Sequence, residues 1–415
     1  MGSVIRGPIT QIVYYLGNMN ICITNYDLAP QFTGGIKRVS SILAKEWNKE
    51  CSIYFIAISP SNNRVFEIEG FPQFHLPVYQ NIISRQNVEY FISFVKEQEI
   101  DIILHQHSEC ESLTELCNIV KKRTGIKLII TRHFAITYKN DILRHSFFNK
   151  NKLQKSTIAW LKDSVLFLKF HLIKKRRNIK QDNALFRLLI DNSDKFILLC
   201  QKHIKDLEKQ LKLRKDEQKK ICAINNPIEF NKKEVIKKKN KVLWCGRVEY
   251  GAKRIDRMLD IWGIISHKHP EWELIIMGSG DIEYFKTLVK KKDIENTHFT
   301  GFCNPYEYYK EGSVICMTSS SEGFPMVLIE ALMYGCIPIV YDSFSSLDEI
   351  VIDGINGYKI PAFNKRMFTE RLEWLMENET ERNKMISNCQ ESVKRFDARI
   401  IAKQWIEMFK EISSK

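Results

Sequence analysis

Residues 313–335 read SVICMTSSSEGFPMVLIEALMYG. The opening SVICM is an unbroken apolar run of the kind a strand buried on both faces requires. Serines, Gly323 and Pro325 then break it, and Pro325 carries the fixed φ that suits a first helical position. From there to about Tyr334 the residues favour helix, and Gly335 marks a stop before the next strand-like run, IPIVYD (337–342). Strand, loop, helix and strand in that order make a parallel βαβ unit.

The same alternation extends outward. KVLWCG (241–246), WELIIMG (272–278) and HFTGF (298–302) read as strands. Helical patterns at 253–269, 281–292 and 305–311 separate them. Upstream, MNICITNY from Met19, CSIYFIAIS (51–59), DIILHQ (101–106), KLIITRH (127–133) and KFILLC (195–200) are strand-like, and ICAINNPI (221–228) closes the series. Helical patterns fall at 36–48, 87–98 and 111–122, and a long basic helical region fills 138–190. NKKEVIKKKNK (231–241) is too lysine-rich to bury itself and reads as a linker. The fold class is therefore α/β, with two tandem units. The boundaries are 1–235, 236–394 and a final helix at 395–415, with 1–18 set apart as an extension.

Composition narrows the class. The chain has 415 residues, of which 44% are hydrophobic, and its 24 Phe, 15 Tyr and 7 Trp exclude disorder as a theme. The 11 cysteines form no C-x-x-C pair and show no zinc spacing, which fits free thiols in a reducing compartment. A net charge of +14 favours an anionic partner. There is no signal-peptide pattern and no apolar run of the ~18 residues a membrane span needs. The expectation is a cytoplasmic protein.

Open parallel sheets bind ligands at the carboxyl ends of their strands, so the loops after strands carry the chemistry. After the first strand, Gly34 and Gly35 precede a helix; they suit close approach to an anion or a plain tight turn. After KVLWC comes GRVEYGAKR, with Arg247 and Lys253 six positions apart. Two cations there suit a diphosphate, or are solvated surface charges. In SSSEGFPMVLIE, Glu322 precedes the helix and Glu330 follows eight residues later. Glu322 can reach a reacting group or simply complement the helix dipole. Glu330, among Leu328, Ile329, Ala331 and Leu332, is poorly placed to be merely solvated.

These residues resemble family 4 retaining glycosyltransferases of the GT-B fold. The resemblance is carried by GGIKRV (34–39), GRVEYGAKR (246–254), IIMGSG (275–280), GFCNPYEYY (301–309), EGFPMVLIE (322–330), GCIPIVYD (335–342) and DGINGYKIP (353–361). It covers most of 241–361 and is looser over 19–240, where it rests on the paired glycines, RHF (132–134) and NNP (225–227). NPYEYY and YDSFSSLDEIV are similar to bacterial capsule, O-antigen and lipopolysaccharide enzymes. The resemblance implies two Rossmann-like domains, an acceptor-binding one and a nucleotide-sugar-binding one, with a cleft between them and a last helix crossing back. It implies that Arg247 and Lys253 hold a donor diphosphate together with Gly35 and the backbone of Phe324, Pro325, Met326 and Val327. Glu322 matches the carboxylate near the donor sugar, and His133 a histidine beside it; Glu330 matches the one that binds the ribose. Phe302 and Asn304 match a loop touching the nucleobase, and Gly34 and Arg38 the loop facing the acceptor.

The implied reaction is transfer from a UDP- or GDP-linked sugar to a hydroxyl of a glycan, lipid-linked in this setting, with retention of configuration. No D-x-D occurs in the chain, so fixed cations and a helix N-terminus would replace a metal, and no cofactor is expected. Within 159–180, Trp160, Leu161, Val165, Leu168 and Leu172 recur at helical spacing before Lys174, Lys175, Arg176 and Arg177. That pattern suits an anionic membrane surface, hence peripheral attachment to its inner face, or a core helix with a basic end. Two other classes compete. One is a GT-B nucleotide-sugar 2-epimerase. The other is a basic nucleic-acid-binding protein, although the informative residues sit at strand ends and not in a basic, aromatic stripe.

Overall fold

A computed structural model describes residues 19–27, 34–59, 67–68, 70–141, 157–230 and 237–414, with the backbone alone at 27, 59, 67–68 and 157–171. The stretch 1–18 and residues 231–236 of the linker lie outside the described residues.

The first domain is an eight-stranded sheet in the order β3-β4-β2-β1-β5-β6-β7-β8. Its strands are β1 (Met19–Asp27), β2 (Cys51–Ser59), β3 (Glu67–Ile68), β4 (Phe71–His75), β5 (Ile102–His105), β6 (Lys127–Thr131), β7 (Lys195–Leu198) and β8 (Ile221–Ala223). All pairings are parallel except β3 with β4. In the centre, Ile21 pairs with Ile53 on one side and Ile102 on the other. Every residue of β5 is buried, which is why that strand reads as continuously apolar. Helices α1 (Gly35–Trp47), α2 (Arg85–Glu97), α3 (Glu111–Thr124), α4 (Thr157–Asn192), α5 (Gln201–Gln210) and α6 (Lys215–Lys220) connect the strands.

The second domain has six parallel strands, β9 (Lys239–Cys245), β10 (Glu273–Met277), β11 (Thr297–Gly301), β12 (Gly312–Met317), β13 (Ile337–Asp342) and β14 (Tyr358–Pro361). Their order is β11-β10-β9-β12-β13-β14, the doubly wound arrangement whose strand order reverses between β9 and β12. The helices here are α7 (Ile255–Ile265), α8 (Ile282–Lys291), α9 (Tyr306–Glu311), α10 (Met326–Met333) and α11 (Leu347–Ile350). The sheet is followed by α12 (Lys365–Glu377), α13 (Glu379–Ser392) and α14 (Ala398–Ser413).

The two domains are tied where the chain passes between them twice. Ile228 donates its N–H to Phe396 O at 2.8 Å and accepts from Ala398 N at 2.8 Å. From there α14 lies on α1 of the first domain: the Trp47 ring is 5.5 Å from Trp405 and 5.2 Å from Phe409, edge to face. Such aromatic contacts add to the area they bury.

The tandem α/β reading stands, with three additions. The sequence reading passed over β3 and β4, because β3 has two residues and FPQFH, next to it, carries a proline and alternates buried with exposed positions. It also missed β14, a four-residue strand without a long apolar run. The helical stretch from 363 onward resolves into three helices, broken at Asn378 and Asp397, whose side chain accepts from Arg399 N as an N-cap.

Candidate active site

The reversal point between β9 and β12 is built from two loops bonded to each other. Ser320 N donates to Ala252 O at 2.7 Å, and Thr318 Oγ1 donates to Arg254 O at 2.9 Å while accepting from Trp244 Nε1 at 3.1 Å. Arg254 is left-handed, with φ 54°, and its guanidinium is locked on Asp256 at 2.7 and 2.8 Å. That turn starts α7.

The lock leaves Lys253 directed to the other loop. Its Nζ lies 2.7 and 2.9 Å from the two carboxylate oxygens of Glu322. Ser319 Oγ also donates to Glu322 Oε1, at 2.6 Å. Glu322 is buried, so the three groups form one charge-assisted cluster at the strand ends. Arg247 behaves differently. Its side chain is 73% exposed, and Glu249 lies 3.7 Å away. The two cations are therefore not equivalent: Lys253 is fixed in a charge pair and Arg247 extends into solvent.

The first domain closes over this cluster. Gly323 lies so close to it that a Cβ there would sit 1.8 Å from His133 O; no side chain fits. Ser321 Oγ donates to Asp141 Oδ2 at 3.1 Å, and Asn226 Nδ2 to Phe324 O at 3.4 Å. Half-buried Tyr138 stands against the Phe134 ring at 5.0 Å. Burial raises its phenol above the usual range, and the charges of Glu322 and Glu249 add to that while Lys253 and Arg247 oppose it. Tyr138 is thus within electrostatic reach of the four charges. Nothing in its sequence context, the start of the helical stretch after RHF, marked it out, and Ser319 was hidden among similar residues.

Glu330 sits on α10, almost fully buried. Its carboxylate oxygen lies 2.7 Å from Arg38 Nη1 of α1. Burial raises the Glu330 pKa and Arg38 opposes the rise. The same guanidinium lies over the Tyr306 ring, 5.1 Å from its centroid. Arg38, assigned to the loop facing the acceptor, thus lies against the carboxylate assigned to the ribose.

The remaining candidates fall as follows. His133 is buried, with Nε2 2.6 Å from Gln106 Oε1; burial, then the nearby His107, lowers its pKa to about 3. It is a neutral ring at physiological pH. The Phe324 side chain is buried against Phe396 at 5.5 Å, so only its backbone can meet a ligand. Pro325 caps α10, Met326 opens it buried, and Val327 is half-buried. Gly34 and Gly35 are exposed at the start of α1. Phe302 is exposed, and Asn304 accepts from Tyr306 N at 3.1 Å. Its side chain is engaged in shaping α9.

The Glycosyl transferases group 1 family matches residues 225–392. The second half carries a glycosyl transferases group 1 domain. A 173-residue stretch is 34% identical to the amylovoran biosynthesis glycosyltransferase AmsD of Erwinia amylovora, covering 41% of this chain and 48% of that protein. Another, of 194 residues, is 22% identical to an N-acetyl-D-galactosaminyltransferase of Campylobacter jejuni named for a PP-undecaprenol-linked acceptor, covering 46% and 54%. The chain spans about half the length of the curated relatives it matches. Over nearly the whole chain the fold is that of GT-B enzymes. It superposes on Anabaena HepE, solved in complex with UDP-glucose, with a TM-score of 0.70 at 15% identity, covering 95% of this chain and all of that one. None of these proteins is named as an epimerase or a nucleic-acid-binding protein. No helix among the described residues is long and apolar enough to cross a membrane.

Proposed function

We propose that the chain is a retaining, family 4 glycosyltransferase. It moves a sugar from a nucleoside diphosphate donor to a hydroxyl of a lipid-linked glycan, in the building of a bacterial surface polysaccharide. The observation that carries this is the pairing of Lys253 with buried Glu322 at the point where strand order reverses, with His133 O of the first domain packed against Gly323 of the same loop. The names of relatives, one a polysaccharide biosynthesis enzyme and one named for a polyprenol-linked acceptor, support the substrate class.

Breaking the sugar–phosphate bond places negative charge on the departing diphosphate. In this reading Lys253 and the first amides of α10 stabilise it, exposed Arg247 folds in over it, and no metal is needed. Glu322, released from Lys253 as the phosphates take the ammonium, lies beside the sugar. Glu330 accepts from the ribose hydroxyls, and neutral His133 holds its place beside the donor sugar through Gln106. The domain limits that go with this reading are 1–235, 236–394 and 395–415.

Attachment to an anionic membrane through 159–180 belongs to the same proposal. Trp160, Leu161, Val165 and Leu168 fall where only the backbone is described. Beyond them Leu172 and Ile173 are exposed, as are Lys175, Arg176 and Arg177, a pairing of apolar and basic groups suited to such a surface. Flotation with anionic vesicles checks it, and a protein that stays at the bottom of the gradient contradicts it.

The decisive experiment is a thermal-shift panel of UDP, GDP and their sugars. One nucleotide should stabilise the protein. Glu330→Ala should weaken that effect, whereas Glu322→Ala should abolish turnover and spare binding. No stabilisation by either nucleotide would overturn the proposal.

A further inference from the structure

The loop after β9 and the first turn of α8 flank an open surface cavity of about 560 Å³, lined by Tyr250, Gly280, Asp281, Ile282, Glu283 and Tyr284. Two aromatic rings stand in water there: Tyr250 is 44% and Tyr284 55% exposed. Their centroids are 5.8 Å apart and their planes 66° apart, so one ring makes a floor and the other a wall. Their hydroxyls are 3.1 Å apart, one donating to the other. Fully buried Phe285 packs against both, at 5.0 and 5.2 Å.

The cavity is pre-formed. Val248 N donates to Ser279 O at 2.8 Å, and Asp281 N to Val248 O at 2.9 Å, so the two loops are joined by backbone. Gly280, at φ +139°, is pressed so near that a Cβ would lie 2.4 Å from Val248 O. The backbone beneath the two tyrosines is therefore joined to the loop that carries Arg247 and Lys253. A site held by fixed backbone loses little on binding.

The lining chooses among ligands. The exposed carboxylates of Asp281 and Glu283 repel phosphates and acidic sugars, and Glu283 is paired with Lys286 at 2.9 Å. A neutral pyranose fits instead. Its C–H face is apolar enough to lie on an aromatic ring, and its rim of hydroxyls can donate to carboxylates. Gluco-configured rings have equatorial hydroxyls and so present the flattest C–H face.

We infer that the Tyr250–Tyr284 cavity is a binding subsite for a neutral, gluco-configured pyranose. It rests on the proposed function only for the source of that sugar, a residue of the acceptor glycan lying beyond the donor cleft. Binding itself requires no turnover.

Saturation-transfer NMR with chitotriose and maltotriose tests it, with sorbitol as a hydroxyl-rich control and stabilisation by UDP or GDP followed in parallel. At least one trisaccharide should show transfer and sorbitol none. Tyr284→Ala should weaken the trisaccharide roughly tenfold, Tyr284→Phe should retain it, and nucleotide stabilisation should be the same in all three proteins, which also shows that the variants fold. The inference is overturned if neither trisaccharide shows transfer, if sorbitol matches them, or if Tyr284→Ala binds like the wild type. Loss of nucleotide stabilisation with the trisaccharide signal intact would instead count against the glycosyltransferase reading alone.

Discussion

Replacing Arg38 by alanine strips the Glu330 carboxylate of the guanidinium 2.7 Å away. The Glu330 side chain is 2% exposed and that of Arg38 is 20% exposed. Breaking a buried pair from one side costs about 3–5 kcal/mol, because the remaining charge stays desolvated. Arg38 keeps some contact with water, so a loss nearer about 2–3 kcal/mol at neutral pH is expected. The pH dependence has a definite sign. Burial already raises Glu330 above the usual carboxylate range, and Arg38 pulls it back. In Arg38→Ala that opposition is gone, and the folded-state pKa rises further while the unfolded value stays near ~4.3. The folded variant then binds the proton more tightly than the unfolded chain, so its deficit grows as pH rises through that interval and shrinks as pH falls. Urea unfolding of wild type, Arg38→Ala, Glu330→Gln and the double variant, at pH 5 and pH 7.5, measures the coupling. Glu330→Gln should restore most of the loss. If the domains relieve the charge by parting, small-angle scattering will show a larger radius of gyration. The reasoning fails if Arg38→Ala matches wild type in both stability and dimensions, or if Glu330→Gln recovers nothing.

Lys253→Ala should raise the dissociation constant of the bound nucleotide by about ten- to a hundredfold, the worth of a charge-assisted bond, as isothermal titration calorimetry would show. Trp47, fully buried between α1 and α14, should cost about 3–5 kcal/mol when changed to alanine, read from the urea midpoint. Burial lowers His105 and His133 to about 3 and His203 to about 4. The unfolded chain therefore takes up protons below ~6.5 that the fold refuses, so stability should fall as pH drops from 6.5 towards 4. Histidine C–H NMR shifts of these three rings should stay flat over the same range, and a titrating His133 would contradict the geometry.

The sequence by itself determined the architecture of the second domain. A strand buried on both faces must be apolar throughout, and the loop that follows must turn, so SVICM, the serines and Pro325 announce strand, loop and helix locally. The same logic placed Lys253, Glu322 and Glu330 at strand ends and on one helix. It failed at β4, second from one edge, and at β14, on an edge, where the demand for apolar residues relaxes and the local signal fades. Only tertiary structure decided the partners. Arg38 meets Glu330 across 292 positions of chain, and Asp141 meets Ser321, next to Glu322, from the other domain. Arg247 and Lys253, alike as letters, part ways because Arg254 takes a left-handed turn onto Asp256 and aims only its neighbour at Glu322. Periodicity reports which face of an element is buried. Which charge from elsewhere covers that face is fixed by how the two sheets are set against each other, a property no local stretch of residues carries.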